Sequence, residues 1–150
     1  IYAQCEIGER NLIADLATIR ENVRIGDLNI IGRNVAIENF VTIGSRNKFE
    51  TNCYITAYSE IEDYCFVAPC VATSNDNYMA RDPERFKHFK GITMKRGARI
   101  GVNCTILPGK VLEEDACVLG DRWFPAMSPP VSWCWVRPPS LCARYLRLNY

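Results

Sequence analysis

The residues able to do chemistry gather between positions 73 and 91. Thr73-Ser74-Asn75-Asp76-Asn77 places a carboxylate among amides and hydroxyls, and Arg81 follows shortly after. Arg85-Phe86-Lys87-His88-Phe89-Lys90-Gly91 then sets the chain's one histidine among cations and aromatic rings. An imidazole titrates near neutrality, which suits His88 to general-base work. The cations suit phosphate groups. Asn75, Asp76 and Asn77 can hold an amine or hydroxyls by hydrogen bonds, and a turn backbone N–H can serve a developing oxyanion. Blander readings stand beside these. Asn and Asp are common turn residues, and a loop histidine between lysines can be a plain surface residue. The eight cysteines include no C-x-x-C pair, which argues against a structural zinc site.

What must position these residues is a six-residue rhythm. Ile1, Ile7, Ile13, Ile19, Ile25, Ile31, Ile37, Ile43, Phe49, Ile55, Ile61 and Val67 follow one another at that spacing. Four places after each comes a mostly small residue, from Cys5, Asn11 and Ala17 through to Cys65 and Val71. Helices bury positions three and four apart and half-buried strands bury alternate ones, so neither explains a period of six. A short fixed period predicts a solenoid whose repeats bury their apolar side only by stacking. β-Branched Ile suits short strands. Gly8, Gly26, Gly32 and Gly44, each just after a repeat's Ile, suit the bends. Asn11, Asn29 and Asn47 lie eighteen apart, which predicts an amide ladder on one side. The rhythm breaks after Ala72 and resumes at Met94, Ile100, Ile106, Leu112 and Val118, with Lys110 as the exception among the small positions. The stretch 73–91 is therefore expected as an ordered excursion from one corner, because Phe86 and Phe89 need something to pack on.

This pattern resembles the hexapeptide-repeat acyltransferases over residues 1 to about 118. The resemblance implies an all-β, left-handed parallel β-helix in which three hexapeptides make one triangular coil. Arg99-Ile100-Gly101-Val102-Asn103-Cys104-Thr105-Ile106-Leu107-Pro108-Gly109 is similar to the family's R-I-G-x-N-x-T-I-L-P-G rungs. By that likeness Gly101, Asn103, Pro108 and Gly109 are expected to line the site of an acetyl-CoA donor. Thr73 to Arg81 looks like the T-N-D-x-x-x-R segment of sugar-nucleotide N-acetyltransferases, although Ser74 intervenes and Ala80 replaces a proline. This implies transfer of an acetyl group to an amine or hydroxyl of a small acceptor, with a nucleotide-linked amino sugar as the expected class. Asp76 and His88 would be catalytic, Asn75, Asn77 and Arg81 would bind the acceptor, and no metal would be required. The resemblance also implies a homotrimer, with the excursion completing a cleft between subunits. Two other readings remain open. A γ-type carbonic anhydrase shares this solenoid but binds zinc through three histidines, and one per chain does not supply them unless three copies meet on an axis. A non-catalytic scaffold has no need of an ordered, charged and aromatic loop.

Composition narrows the partners. The formal net charge is +1, so no electrostatic footprint for nucleic acid is visible. No apolar run approaches the roughly 20 residues that span a membrane. Cysteines at inward small positions act as compact apolar filler and point to a reducing cytoplasm. The chain begins at Ile1, which leaves room for a preceding strand.

Residues 119–150 change character. They hold Trp123, Trp133 and Trp135 and five of the eight prolines, and after Asp121 there is no Asp, Glu or Lys. Nothing there resembles the family's closing coil as written. Read one nucleotide earlier, Trp133-Cys134-Trp135-Val136 is forced to give Val-Leu-Gly, and permitted codons elsewhere give the family's D-V-P and P-A-K. The expectation is a frameshifted, poorly ordered tail that impairs donor binding, with an inactive relative of the enzyme as an alternative reading of function; a divergent natural tail is the alternative to the frameshift.

Overall fold

The computed structural model describes residues 1–81 and 83–119, together with the backbone of 136–137. The frameshift reading of 119–150 lies outside the described residues save at Leu119 and that short segment. Every strand is two residues long: β1 (Glu6–Ile7), β2 (Leu12–Ile13), β3 (Thr18–Ile19), β4 (Arg24–Ile25), β5 (Ile30–Ile31), β6 (Ala36–Ile37), β7 (Thr42–Ile43), β8 (Lys48–Phe49), β9 (Tyr54–Ile55), β10 (Glu60–Ile61), β11 (Phe66–Val67), β12 (Ala72–Thr73), β13 (Thr93–Met94), β14 (Arg99–Ile100), β15 (Thr105–Ile106), β16 (Val111–Leu112), β17 (Cys117–Val118) and β18 (Val136–Arg137). They stack in three sheets. The first runs β1-β4-β7-β10-β13-β16, the second β2-β5-β8-β11-β14-β17-β18 and the third β3-β6-β9-β12-β15. Pairing is parallel and in register, as in Glu6↔Arg24 and Leu12↔Ile30, except that β18 pairs antiparallel with β17. The molecule is a parallel β-solenoid of three-sided coils.

The register follows from the residue types. The second residue of each strand points inward, so Ile19, Ile31, Ile37, Phe49, Ile55, Val67 and Ile100 are fully buried. Each such side chain contributes about 1.5–3 kcal/mol relative to exposure. The small residue two places earlier fills the gap beside the next strand, as Val23, Val35, Val41, Cys53 and Ala98 do. Ile1 departs from the expected inward set. It is 69% exposed, and Ile7 and Ile13 are only partly buried, because no described coil stacks beneath the first one. Thr73 extends the rhythm by one buried position and Ile92 fills a small one, so the excursion runs from Ser74 to the threshold of β13.

The bends are made differently from expectation. From Gln4 to Cys70 every sixth residue has positive φ, including Leu16, Phe40, Tyr58 and Tyr64, so non-glycine residues take the left-handed conformation. Glycine is needed for another reason. A Cβ on Gly26 would lie 2.5 Å from Ser45 Oγ and 2.8 Å from the Gly44 carbonyl oxygen. Coils approach so closely there because Ser45 Oγ accepts the Asp27 N–H at 3.0 Å and Asp63 Oδ1 accepts the Ser45 N–H at 2.7 Å.

The asparagine ladder forms, but through the backbone. Asn11 Oδ1 accepts the Asn29 N–H at 2.8 Å, Asn29 Oδ1 accepts that of Asn47 at 2.8 Å, and Asn47 Oδ1 accepts that of Cys65 at 2.7 Å. Asn29 Nδ2 donates to the Gly44 carbonyl at 3.0 Å. One coil later Glu62 stands in that glycine column, and Asn47 Nδ2 is buried without an acceptor among the described residues.

Candidate active site

The excursion is rooted at both ends by buried hydroxyls. Where it leaves, Thr73 Oγ1 donates to the Tyr54 carbonyl at 3.1 Å and accepts the Thr56 N–H at 2.8 Å. Where it returns, Ser59 Oγ donates to the Thr56 carbonyl at 2.7 Å and accepts the Ile92 N–H at 3.3 Å. Gly91 lies against the Tyr58–Ser59 backbone so tightly that a Cβ would be 2.3 Å from three backbone atoms. The strand offset across the excursion, Glu60↔Thr93, is 33 residues, against 18 in uninterrupted coils such as Glu60↔Thr42. The loop therefore adds 33 − 18 = 15 residues and leaves from the corner between the third sheet and the first.

Asp76 organises the loop. Its Oδ1 accepts the Tyr78 N–H at 2.7 Å, while Oδ2 accepts the Ala80 N–H at 3.0 Å and Arg85 Nη1 at 2.8 Å. Burial works against the charge on Asp76. The hydrogen bonds from Arg85 and the two backbone amides outweigh it, so the carboxyl titrates below its ordinary range. Met79 and Ala80 both have positive φ. This accounts for alanine where the family segment has proline: proline is held near φ −65° and has no N–H for Asp76 to accept.

Pro83–His88 forms a short 3-10 helix that carries Arg85 back over the turn. The Arg85 guanidinium sits over the rings of Phe86 and Phe89, 4.6 and 5.5 Å from their centroids, and the rings themselves are 5.3 Å apart. These aromatic residues order the loop on its own cation and on each other. His88 is exposed, with its ring tilted 5.4 Å from that of Tyr78. Among the described residues no carboxylate pairs with it. Asn75 is half-buried and its carbonyl accepts the Lys90 N–H at 3.1 Å. Asn77 and Arg81 are exposed at the loop surface.

The expected donor residues divide between two corners. Gly109 lies at the excursion's own corner, where its N–H donates to the Lys90 and Gly91 carbonyls, both at 3.1 Å, beside buried Pro108. Asn75, Lys90 and Gly109 are thus linked by consecutive backbone bonds. Gly101 and Asn103 follow β14, on the corner between the second and third sheets. Their N–H groups donate to the Val118 and Pro69 carbonyls at 2.7 and 3.2 Å. The N–H groups of Gly101, Asn103 and Gly109 are therefore engaged within the solenoid.

Gly101 instead lines a groove of about 600 Å³ on the second sheet, with Arg46, Lys48, Tyr64, Phe66, Arg99, Cys117 and Leu119. Arg46 and Arg96 approach the Tyr64 ring at 5.8 and 5.0 Å. Lys48 Nζ pairs with Glu50 at 2.9 Å, whereas among the described residues no carboxylate forms an ion pair with the guanidinium of Arg46, Arg96 or Arg99. Sequence reasoning passed over this cluster, and it read Arg85 only as one of several cations suited to phosphate, not as the partner of Asp76. The signal for the groove was present in the coil period, since Arg46 and Tyr64, like Lys48 and Phe66, are eighteen apart. No period betrays Arg85, because its partners meet only through the folding of the loop.

No family model and no curated protein matches the sequence. Solved structures are similar at low identity. A variant of AntD, an N-acyltransferase from Bacillus cereus in complex with dTDP and coenzyme A, is 17% identical. That alignment covers 93% of this chain and 88% of that one, with a TM-score of 0.45. A second AntD variant in the same complex is 16% identical over 93% and 87% of the two chains, with a TM-score of 0.41. A hexapeptide transferase family protein from Anaplasma phagocytophilum is 13% identical over 79% and 81%, with a TM-score of 0.31. Likeness at this level carries no inference about activity. The chain's own strands and buried rungs make it a parallel β-solenoid of hexapeptide repeats, consistent with the architecture of the hexapeptide-repeat acyltransferases.

Proposed function

We propose that this protein is an acyltransferase that moves an acetyl group from acetyl-CoA to an amine or hydroxyl of a small acceptor, with a nucleotide-linked amino sugar as the preferred class. The groove beside Gly101 is the observation that carries this reading. Among the described residues no carboxylate pairs with its Arg46 and Arg99 guanidinium groups, which suit the phosphates of a nucleotide-bearing thioester, and Tyr64 and Phe66 suit a ring. The acceptor site is assigned to the excursion: Asn75, Asn77 and Arg81 meet the acceptor, Asp76 holds its amine or a neighbouring hydroxyl, and His88 lies near the thioester as general base. Transfer needs the amine deprotonated and the thioester carbon attacked, with the thiol of CoA leaving.

The groove and the excursion lie on opposite sides of one coil, since the second sheet faces the corner between the third and first. A working site therefore calls for a second copy, and a homotrimer in which each excursion lies over a neighbour's groove meets that need. The free thiols Cys53 and Cys65 support a cytoplasmic setting.

A thiol-release screen with acetyl-CoA over a panel of amino sugars tests the reading directly. Release with at least one acceptor is expected, together with light scattering at three times the chain mass. Absence of acetyl-CoA binding by calorimetry, combined with a stable monomer, would favour the scaffold alternative.

A further inference from the structure

A turn like that at Asp76 needs no arginine. Two backbone amides already orient an aspartate side chain in such a turn, and both are present in Tyr78 and Ala80. Yet Arg85 is brought over from the 3-10 helix to add a third bond. Of the two rings that hold it, Phe86 gains little from burial, since it is 63% exposed, and Phe89 is only half-buried. The arrangement thus supplies something that turn formation does not require.

Counting acceptor positions shows what that is. An ionised carboxylate offers about four lone-pair positions, two on each oxygen. Oδ2 is filled by Ala80 N–H and Arg85, whereas among the described residues Oδ1 receives only the Tyr78 N–H. The remaining position is on Oδ1. The carboxyl group cannot swing to exchange its oxygens while Arg85 is held over Phe86 and Phe89.

We infer that Arg85 is a positioning residue: clamped by Phe86 and Phe89, it fixes Oδ2 of Asp76 so that Oδ1 presents one open acceptor position to an N–H or O–H donor of the acceptor molecule. This deepens the acyl-transfer reading and rests on it. It also separates two roles. Asp76 so held orients the acceptor and leaves proton removal to another group, because a carboxylate stabilised by three donors is a weak base. The charged and titratable groups around it are Arg85 from the 3-10 helix and, within the turn, Tyr78, whose ring meets His88 and whose carbonyl accepts the Arg81 N–H at 3.1 Å.

The test uses Arg85→Gln and Arg85→Lys in the full chain, with circular dichroism to check that the solenoid persists. With acetyl-CoA and an amino sugar that releases thiol, Arg85→Gln is expected to raise the acceptor KM about tenfold or more. The donor KM should stay unchanged, and Arg85→Lys should recover part of the loss. The carboxyl 13C titration of Asp76 should move upward in Arg85→Gln and less so in Phe86→Leu. A fall in kcat with the acceptor KM unchanged would overturn the inference. Wild-type protein that acetylates nothing would overturn the acyl-transfer reading, and the substrate half of this inference with it. A titration of Asp76 left unmoved by Arg85→Gln would overturn the positioning half by itself, whatever the activity. If Arg85→Gln does not fold, the same two measurements on Arg85→Lys decide, with a smaller shift in the same direction expected.

Discussion

Gly91 and Asn29 carry unusual weight for single residues. At Gly91 the loop returns against the Tyr58–Ser59 backbone, which cannot yield as a flexible side chain can. Gly91→Ala is expected to cost about 1–3 kcal/mol as overpacking and to detach the excursion. Thermal denaturation should show the loss, and faster proteolysis within 74–90 should show the detachment. Asn29 satisfies an N–H in the coil above and a carbonyl beside it. Asn29→Leu strands both, and leaving buried partners unmade costs about 1–3 kcal/mol for each. A melting temperature within a degree of wild type would contradict the ladder's role. Amides eighteen apart announced these bonds, but not that they run to the backbone. Gly8, Gly26, Gly32 and Gly44 were legible as bend residues, but the bends fall to residues such as Phe40 and Tyr58, and the glycines answer to the neighbouring coil.

At the scale of elements, the cysteines inside the coils set an alkaline limit. Burial pushes the thiols of Cys53 and Cys65 up to about 11 from an ordinary 9.0. The folded state therefore keeps protons that the unfolded chain releases above pH 9. The stabilisation from these thiols is complete below pH 9 and declines as pH rises toward about 11. Chemical denaturation between pH 8 and 10.5 should show that decline, and Cys53→Ala with Cys65→Ala should flatten it. A thiol reagent at pH 8 should label exposed Cys70 before either buried thiol. The strands and coils were legible because one physical constraint, a narrow prism interior, repeats at every rung and selects Ile and a small partner each time. The excursion obeys no such constraint. Its position was legible from the break in rhythm, and its charged residues were visible as candidates. The clamp of Arg85 on Asp76 was not, because it depends on backbone strain at Met79 and Ala80 that no residue type announces.

For the whole molecule, the tail is the open end of the functional proposal. If residues 119–150 are a shifted reading, restoring the frame should tighten acetyl-CoA binding by calorimetry, and unchanged binding would refute that claim. Among the described residues no helix is long and apolar enough to cross a membrane.

The parallel register has one more consequence. Strands pair with partners eighteen positions away, as in Thr18↔Ala36 and Arg24↔Thr42, so the polypeptide behaves like a spiral staircase with three steps to the turn. Such a staircase tolerates changes of length only in whole turns. Deleting residues 24–41 should bring Thr42 onto Glu6, splice the asparagine column from Asn11 to Asn47, and leave the excursion at its own corner. Deleting only 24–29 removes one step of three. Every residue above the cut then rotates by about a third of a turn relative to the coil below, so that ladder partners miss one another and the excursion emerges over a different face of that coil. The longer deletion should therefore be the milder one. Comparing the melting temperatures of the two shortened chains would show whether the molecule counts in sixes or in eighteens.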